Sequence, residues 1–195
     1  MKRIHIMDRA PLFTNCFLVV SEKGHAVAID PAADEKRFAQ ALEEHGATLT
    51  HILLTHGHFD HIASVEALRK RYGAKLYMHE ADIPVAKLTP DVVYTEGEEI
   101  QVDEMTFIPI FTPGHTMGSV CIRCGSWLFT GDTLFAGDIG RTDLPHSDPH
   151  AMLASLKKLK DTISDNPEVL PGHEGFSWME DEKRNNPYLQ FRNFT

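Results

Sequence analysis

The sequence predicts an α/β (α+β) fold built in packed layers, with two sets of strands and helices outside them. Short β-rich runs alternate with segments of helical periodicity, and the strand-forming runs fall into an early and a late block. The unusual polar residues sit just after the strands, where loops can converge on one cleft.

Residues 4–7, 13–20 and 25–29 read as strands, the last two joined by a turn near Lys23 and Gly24. Residues 34–45 have helical spacing, with Phe38 and Leu42 flanked by Ala39 and Ala41, and Gly46 is the stop. Residues 52–54 form a short apolar strand that runs into Thr55 and His56. Residues 63–72 read as an amphipathic helix closed by Gly73, and 75–78 as a strand. Residues 106–111, 119–124 and 126–130 make the later β block, with Gly125 as a turn. Residues 149–162 are helical, 169–170 a short strand, and 179–185 a last helix. With no repeat, low-complexity run or linker, residues 1–195 read as a single domain.

Composition narrows the function. The chain is 42% hydrophobic and 24% charged, as in ordinary globular proteins, and is long enough to bury a core without staples. A metal site would therefore serve chemistry rather than folding. The formal net charge of −9 opposes binding to a phosphate backbone. The densest basic patches, Lys157, Lys158 and Lys160, then Lys183 and Arg184, read as solvated helix faces. No nucleic-acid partner is expected. Three scattered cysteines suit a reducing compartment. The apolar stretch at 12–20 is short and broken by Thr14 and Asn15, so no membrane partner and a cytoplasmic location are expected.

The run Thr55-His56-Gly57-His58-Phe59-Asp60-His61 places three histidines and an aspartate directly after a strand. Imidazole and carboxylate donors suit zinc, iron and manganese. Gly57 is expected to let the backbone turn tightly between His56 and His58. One histidine there would be a surface residue; four ligand-type side chains in this arrangement point to metal. Three more donors follow strands: His115 in Pro113-Gly114-His115, Asp132 in Gly131-Asp132, and His173 in Pro171-Gly172-His173. Each follows a glycine, where close backbone approach is easiest.

These motifs, in this order, resemble those of the metallo-β-lactamase superfamily. The resemblance implies a four-layer αββα sandwich, two mixed β-sheets flanked by helices. It also implies two divalent metal ions, zinc or alternatively iron or manganese. His56, His58 and His115 would bind the first, Asp60, His61 and His173 the second, and Asp132 would bridge them.

Within the superfamily the chain resembles the small glyoxalase II-like (hydroxyacylglutathione hydrolase-like) hydrolases. The likeness rests on Gly131-Asp132-Thr133-Leu134-Phe135, Gly140-Arg141-Thr142-Asp143 and Arg184-Asn185-Asn186-Pro187-Tyr188-Leu189. It implies hydrolysis of a small-molecule hydroxyacyl thioester, S-lactoylglutathione in type, by a hydroxide held between two metals. Asp60 would be catalytic, orienting the nucleophile, and Arg141 would meet a carboxylate of a glutathione-linked substrate. The C-terminal helical domain of full-length glyoxalase II, which supplies further cations to glutathione, is not expected here. The Gly-Arg-Thr-Asp run is shared with persulfide dioxygenases, which use one iron, and this is the alternative enzyme. A non-catalytic metal-binding protein on the same fold is a third reading, which the presence of all seven ligand residues argues against.

The remaining candidates read as structural. Cys121 and Cys124 lie three apart in a strand and point to opposite faces, which disfavours a metal or redox pair. Cys16 reads as core. His79 reads as packing or as support behind the ligands, and His5, His25, His45 and His51 as surface or packing residues. His146 and His150 are placed near the cleft rim, and Glu174 beside a ligand.

Overall fold

The computed structural model describes residues 1–9 and 11–190. Strands β1 (Lys2–Met7), β2 (Asn15–Val20) and β3 (His25–Ile29) open the chain, followed by helix α1 (Glu35–Glu44) and β4 (Thr48–Leu53). Helices α2 (Phe59–Ile62) and α3 (Val65–Tyr72) precede β5 (Lys75–Met78), a 3-10 turn (Glu80–Asp82), α4 (Ile83–Ala86) and β6 (Val92–Val93). The second half contains β7 (Ile100–Val102), β8 (Met105–Phe111), β9 (Val120–Cys124), β10 (Trp127–Gly131), β11 (Leu134–Phe135) and β12 (Asp138–Ile139). Helix α5 (Pro149–Thr162), β13 (Glu168–Pro171), β14 (Ser177–Trp178) and α6 (Met179–Asn185) complete it.

The strands form two six-stranded mixed sheets, in the orders β1-β2-β3-β4-β5-β6 and β14-β13-β10-β9-β8-β7. Strands β11 and β12 make a separate two-stranded ribbon. In the first sheet β3, β4, β5 and β6 are parallel, and in the second β10 and β13 are parallel.

Side-chain alternation sorts the buried residues into three clusters. Phe17, Val19, Val27 and Ile29 meet Phe107, Ile122 and Phe129 between the sheets. Cys16, Leu18, Ala26 and Ala28 point the other way, onto Phe38 and Leu42 of α1 and Leu68 of α3. On the far side, Cys121, Leu128 and Val169 pack against Met152, Leu156 and Leu159 of α5 and Met179 of α6. The result is helix, sheet, sheet, helix: the four layers expected. Both faces of β2 are covered, which is why all six of its residues are buried.

Local chemistry sets several boundaries. The Asp34 carboxylate accepts the Lys36 N–H to start α1, and Asp148 accepts the N–H groups of His150 and Ala151 to start α5. The helix expected over 63–72 starts two residues later, at Val65, and Ser64 separates it from the short helix α2 before it. There the Ser64 N–H donates to Pro31 O and its hydroxyl to Ala33 O, tying the boundary to the loop after β3. The strand expected from 13 starts at Asn15, because Phe13 has a φ of +52°. Strands β6, β7, β11, β12 and β14 and helices α2 and α4 were not foreseen. Among the described residues, no helix is long and apolar enough to cross a membrane.

Candidate metal centre

The donors converge because the strands that carry them run the same way. Strands β8 and β10 both pair antiparallel with β9, and β13 is parallel to β10, so their C-terminal ends share one edge of the second sheet. Strands β3 and β4, parallel in the first sheet, end opposite them. Backbone bonds stitch the ends together: Val120 N–H to Thr55 O at 2.8 Å, Gly172 N–H to Gly131 O at 2.9 Å, and Asn15 N–H to Gly172 O at 2.7 Å.

Two donor sets result. The ligand atoms of His56, His58 and His115 lie within 4.8 Å of one another, as do those of Asp60, His61 and His173. The Asp132 carboxylate reaches both: Oδ2 is 3.4 Å from His115 Nε2, and Oδ1 is 3.4 Å from His61 Nε2. His173 Nε2 is 3.3 Å from Asp60 Oδ2 and 3.6 Å from Asp132 Oδ2. The structure thus brings all seven sequence candidates into one cluster.

Outer bonds fix which nitrogen faces inward. His61 Nδ1 donates to Asp30 Oδ2 at 2.9 Å, His115 Nδ1 to Arg141 O at 2.9 Å, and His173 Nδ1 to Leu12 O at 3.1 Å. His56 Nδ1 donates to Thr55 Oγ1 at 3.1 Å, since that hydroxyl gives its own proton to Asp30. Each of these four rings therefore turns its Nε2 toward the centre, the nitrogen left free for a metal. His58 is reversed, with Nδ1 facing His115 Nε2 at 2.9 Å.

Two buried carboxylates that sequence reading missed hold this arrangement. Asp30, at the end of β3, accepts from Thr55 N–H (2.7 Å), the Thr55 hydroxyl (2.5 Å) and His61. Its φ of +46° is strained for a non-glycine residue. Asp30 also lies near His56 and His61 as a possible third donor set, but its oxygens are already occupied. Asp82 accepts from Gly57 N–H (2.7 Å), the Thr116 hydroxyl (2.7 Å) and Gly118 N–H (2.9 Å), joining the His56–His58 loop to the loop after His115. Asp30 carried a signal, since it follows a strand like the other donors. Asp82 carried none.

Gly57 works differently from expectation. It has no positive φ; instead a Cβ there would sit 2.9 Å from Asp82 O and 3.1 Å from Ala86 Cβ. The glycine admits α4 to the back of the ligand loop. At Gly172 a Cβ would collide with Asp132 Oδ1 and the His61 ring, so only glycine lets β13 approach the centre.

Burial and the surrounding histidines hold His56 well below its ordinary pKa, in the neutral form that binds metal. Burial would raise the Asp60 carboxyl, but the bond from His173 and the charge of His61 outweigh it and leave its pKa about 2. Burial likewise opposes charge on His61, yet Asp132, Asp30 and Asp60 raise it to about 9. In the metal-free protein His61 is thus a cation among carboxylates. A metal ion can take the place of that proton. The orphaned atoms fit the same occupant: His56 Nε2 and Asp132 Oδ1 are buried with no hydrogen-bond partner.

The sequence profile of the metallo-beta-lactamase superfamily matches residues 9–173, a span that includes every donor named above. The chain belongs to this superfamily. Its members use divalent metal ions, and the donor set here is of that kind. Hydroxyacylglutathione hydrolase GloC of Haemophilus influenzae is 31% identical over 206 residues, covering 95% of this chain and 97% of the relative. A solved structure of ETHE1 from Myxococcus xanthus is 32% identical with a TM-score of 0.87, covering 96% of this chain and 84% of that one. A structure of TTHA1623 in a di-iron-bound form is 32% identical with a TM-score of 0.84, covering 95% and 100%.

Beside the centre of this superfamily member lies a cavity of about 690 Å³ that Asp60, Asp132 and His173 help to line. Arg141, Glu174 and His146 also border it, whereas His150 does not. Arg141 donates to both oxygens of Asp143, at 2.7 and 2.9 Å. His79 accepts the Ala81 N–H and packs edge-on against Phe111 with ring centres 4.4 Å apart.

Proposed function

We propose that the chain is a metal-dependent thioester hydrolase with a dinuclear centre. The observation that carries this is the single Asp132 carboxylate set between two donor triads, within 3.4 Å of a histidine of each. His56, His58 and His115 would hold one ion, and Asp60, His61 and His173 the other, with Asp132 shared. When bound, such a pair lowers the pKa of water toward neutrality and polarises a carbonyl oxygen. Zinc heads the candidates, with iron and manganese also matched to these donors.

The protein's own groups would do the rest. Asp60, ionised and facing the cavity, accepts a hydrogen bond from the attacking water and aligns it with the carbonyl. The leaving thiol ionises near ~8.5, so it can depart as thiolate without a dedicated acid. This favours thioesters over amides. The similarity to a hydroxyacylglutathione hydrolase makes S-lactoylglutathione, a hydroxyacyl thioester, the substrate to try first. Three free cysteines favour a reducing compartment, the cytoplasm.

The test is thiol release from S-lactoylglutathione and simpler thioesters by protein loaded with zinc, iron or manganese in turn. Turnover that disappears on chelation is expected. No thioester cleaved with any metal would remove the reading. The Gly140-Arg141-Thr142-Asp143 run supports a second reading, oxidation of a persulfide at a single iron. Oxygen uptake with glutathione persulfide would decide for it.

A further inference from the structure

Apart from the metal ions it would hold, the cavity beside the centre offers little positive charge to the carboxylates of glutathione. Its volume, about 690 Å³, is that of a small-molecule site. Leu12, Phe59, Phe135, Ile139, Leu144 and Pro145 supply its apolar walls. Phe59 is 71% exposed and Leu12 39%, so these two leave apolar surface in water at the mouth of the site. Such surface beside a reactive centre is stabilised when an apolar ligand covers it.

Charge points the same way. A glutathione thioester carries two carboxylates and one ammonium. Among the described lining residues Arg141 is the one lysine or arginine, and Asp143 already spans its guanidinium. Beyond the proposed ligands, the other acidic side chains at the rim are Asp138 and Glu174. The chain's net charge of −9 adds a long-range field that repels anions.

We infer that this cavity selects thioesters with an apolar, uncharged body over glutathione-linked ones. The inference rests on the thioester hydrolase reading and narrows its substrate class. Apolar selection by such walls is graded, because each methylene buried contributes about fourfold in affinity.

Two measurements on the full chain test it. The first is calorimetric binding of non-hydrolysable thioethers, S-hexyl-N-acetylcysteamine against S-methylglutathione, with and without zinc. The hexyl compound should bind about tenfold tighter or better. Leu144→Lys, a partly exposed loop position, should shrink that ratio at least about fivefold by removing apolar wall and adding a cation. Equal or tighter binding of the glutathione thioether, or a ratio unmoved by Leu144→Lys, overturns the inference. The second is hydrolysis of hexanoyl-N-acetylcysteamine against S-lactoylglutathione by metal-loaded protein. A higher kcat/KM for the hexanoyl thioester is expected. Preference for S-lactoylglutathione overturns this inference while leaving a thioester hydrolase in place. Failure to cleave either thioester with any metal removes both.

Discussion

Asp82 offers no ligand atom to the centre, yet its one carboxylate holds together two of the loops that do. It accepts three donors, from Gly57, Thr116 and Gly118, and is almost wholly buried. Asp82→Asn keeps the shape but turns an NH2 group toward a donor, leaving buried polar atoms unsatisfied at about 1–3 kcal/mol. We expect a lower unfolding midpoint and metal affinity weakened by about tenfold or more, read by metal titration. Unchanged affinity would mean the loops are held by packing alone. Asp60→Ala acts on the chemistry instead: most turnover should vanish, and unchanged turnover at full metal content would defeat its role. His61 sets a pH signature for the metal-free protein. Its folded pKa is raised from 6.5 to about 9, so its stabilising contribution is complete below 6.5 and is lost as pH rises through 9. His173 is raised too and adds to the same window. His56 and His58 are lowered, so their cost falls below pH 6.5, outside it. With chelator present, the unfolding midpoint should fall from pH 6.5 to 9, and His61→Gln should flatten much of that slope. Ligand residues were legible because histidine and aspartate after a strand are chemically conspicuous. Asp82 was not, because an aspartate in a turn is commonplace and its three donors come from residues 25 to 36 positions away.

Helix α5 shows how an element places a ligand it does not carry. Asp148 caps it, Pro149 fits its first turn, and Met152, Leu156 and Leu159 bury its inner face on the second sheet. The same helix receives the His115 loop: the Ser155 hydroxyl donates to Pro113 O at 2.7 Å, and the Asp148 N–H to Gly114 O at 2.8 Å. Asp148→Ala removes the side-chain cap but keeps that backbone bond. It should cost about 1 kcal/mol, or about 2–4 °C in unfolding midpoint, with metal content unchanged. A loss of metal along with stability would show that the cap, not the backbone bond, seats the loop. Helix α5 was readable from sequence because cap, proline and apolar period all agree. Two-residue strands such as β6 and β11 were not, since pairing with a neighbour, rather than any pattern of their own, makes them strands. Ser64 was likewise invisible as the boundary before α3, its bonds to Pro31 and Ala33 being made across the fold.

At the scale of the molecule, the centre sits at strand ends while stability resides in three apolar layers that contain none of its ligands. The metal should therefore add stability without creating the fold, unlike a structural zinc site. The cysteines make this measurable, because each layer holds one thiol. Cys16 lies between the first sheet and its helices, Cys124 between the sheets, and Cys121 beneath α5. Burial raises their pKa values to about 12, 11 and 11, far from a reactive thiolate at pH 8. A thiol reagent at pH 8 should find none of the three in the folded protein and all three after denaturation. The decisive sample is the chelated one. If the layers are self-sufficient, stripping the metal lowers the unfolding midpoint by the binding linkage yet leaves all three thiols silent. If one thiol becomes reactive on chelation, the layer around it depends on the metal, and the cysteine modified names that layer. Cys16 would implicate the first sheet and its helices, behind the His56–His61 loop, and Cys121 the α5 side that supports His115.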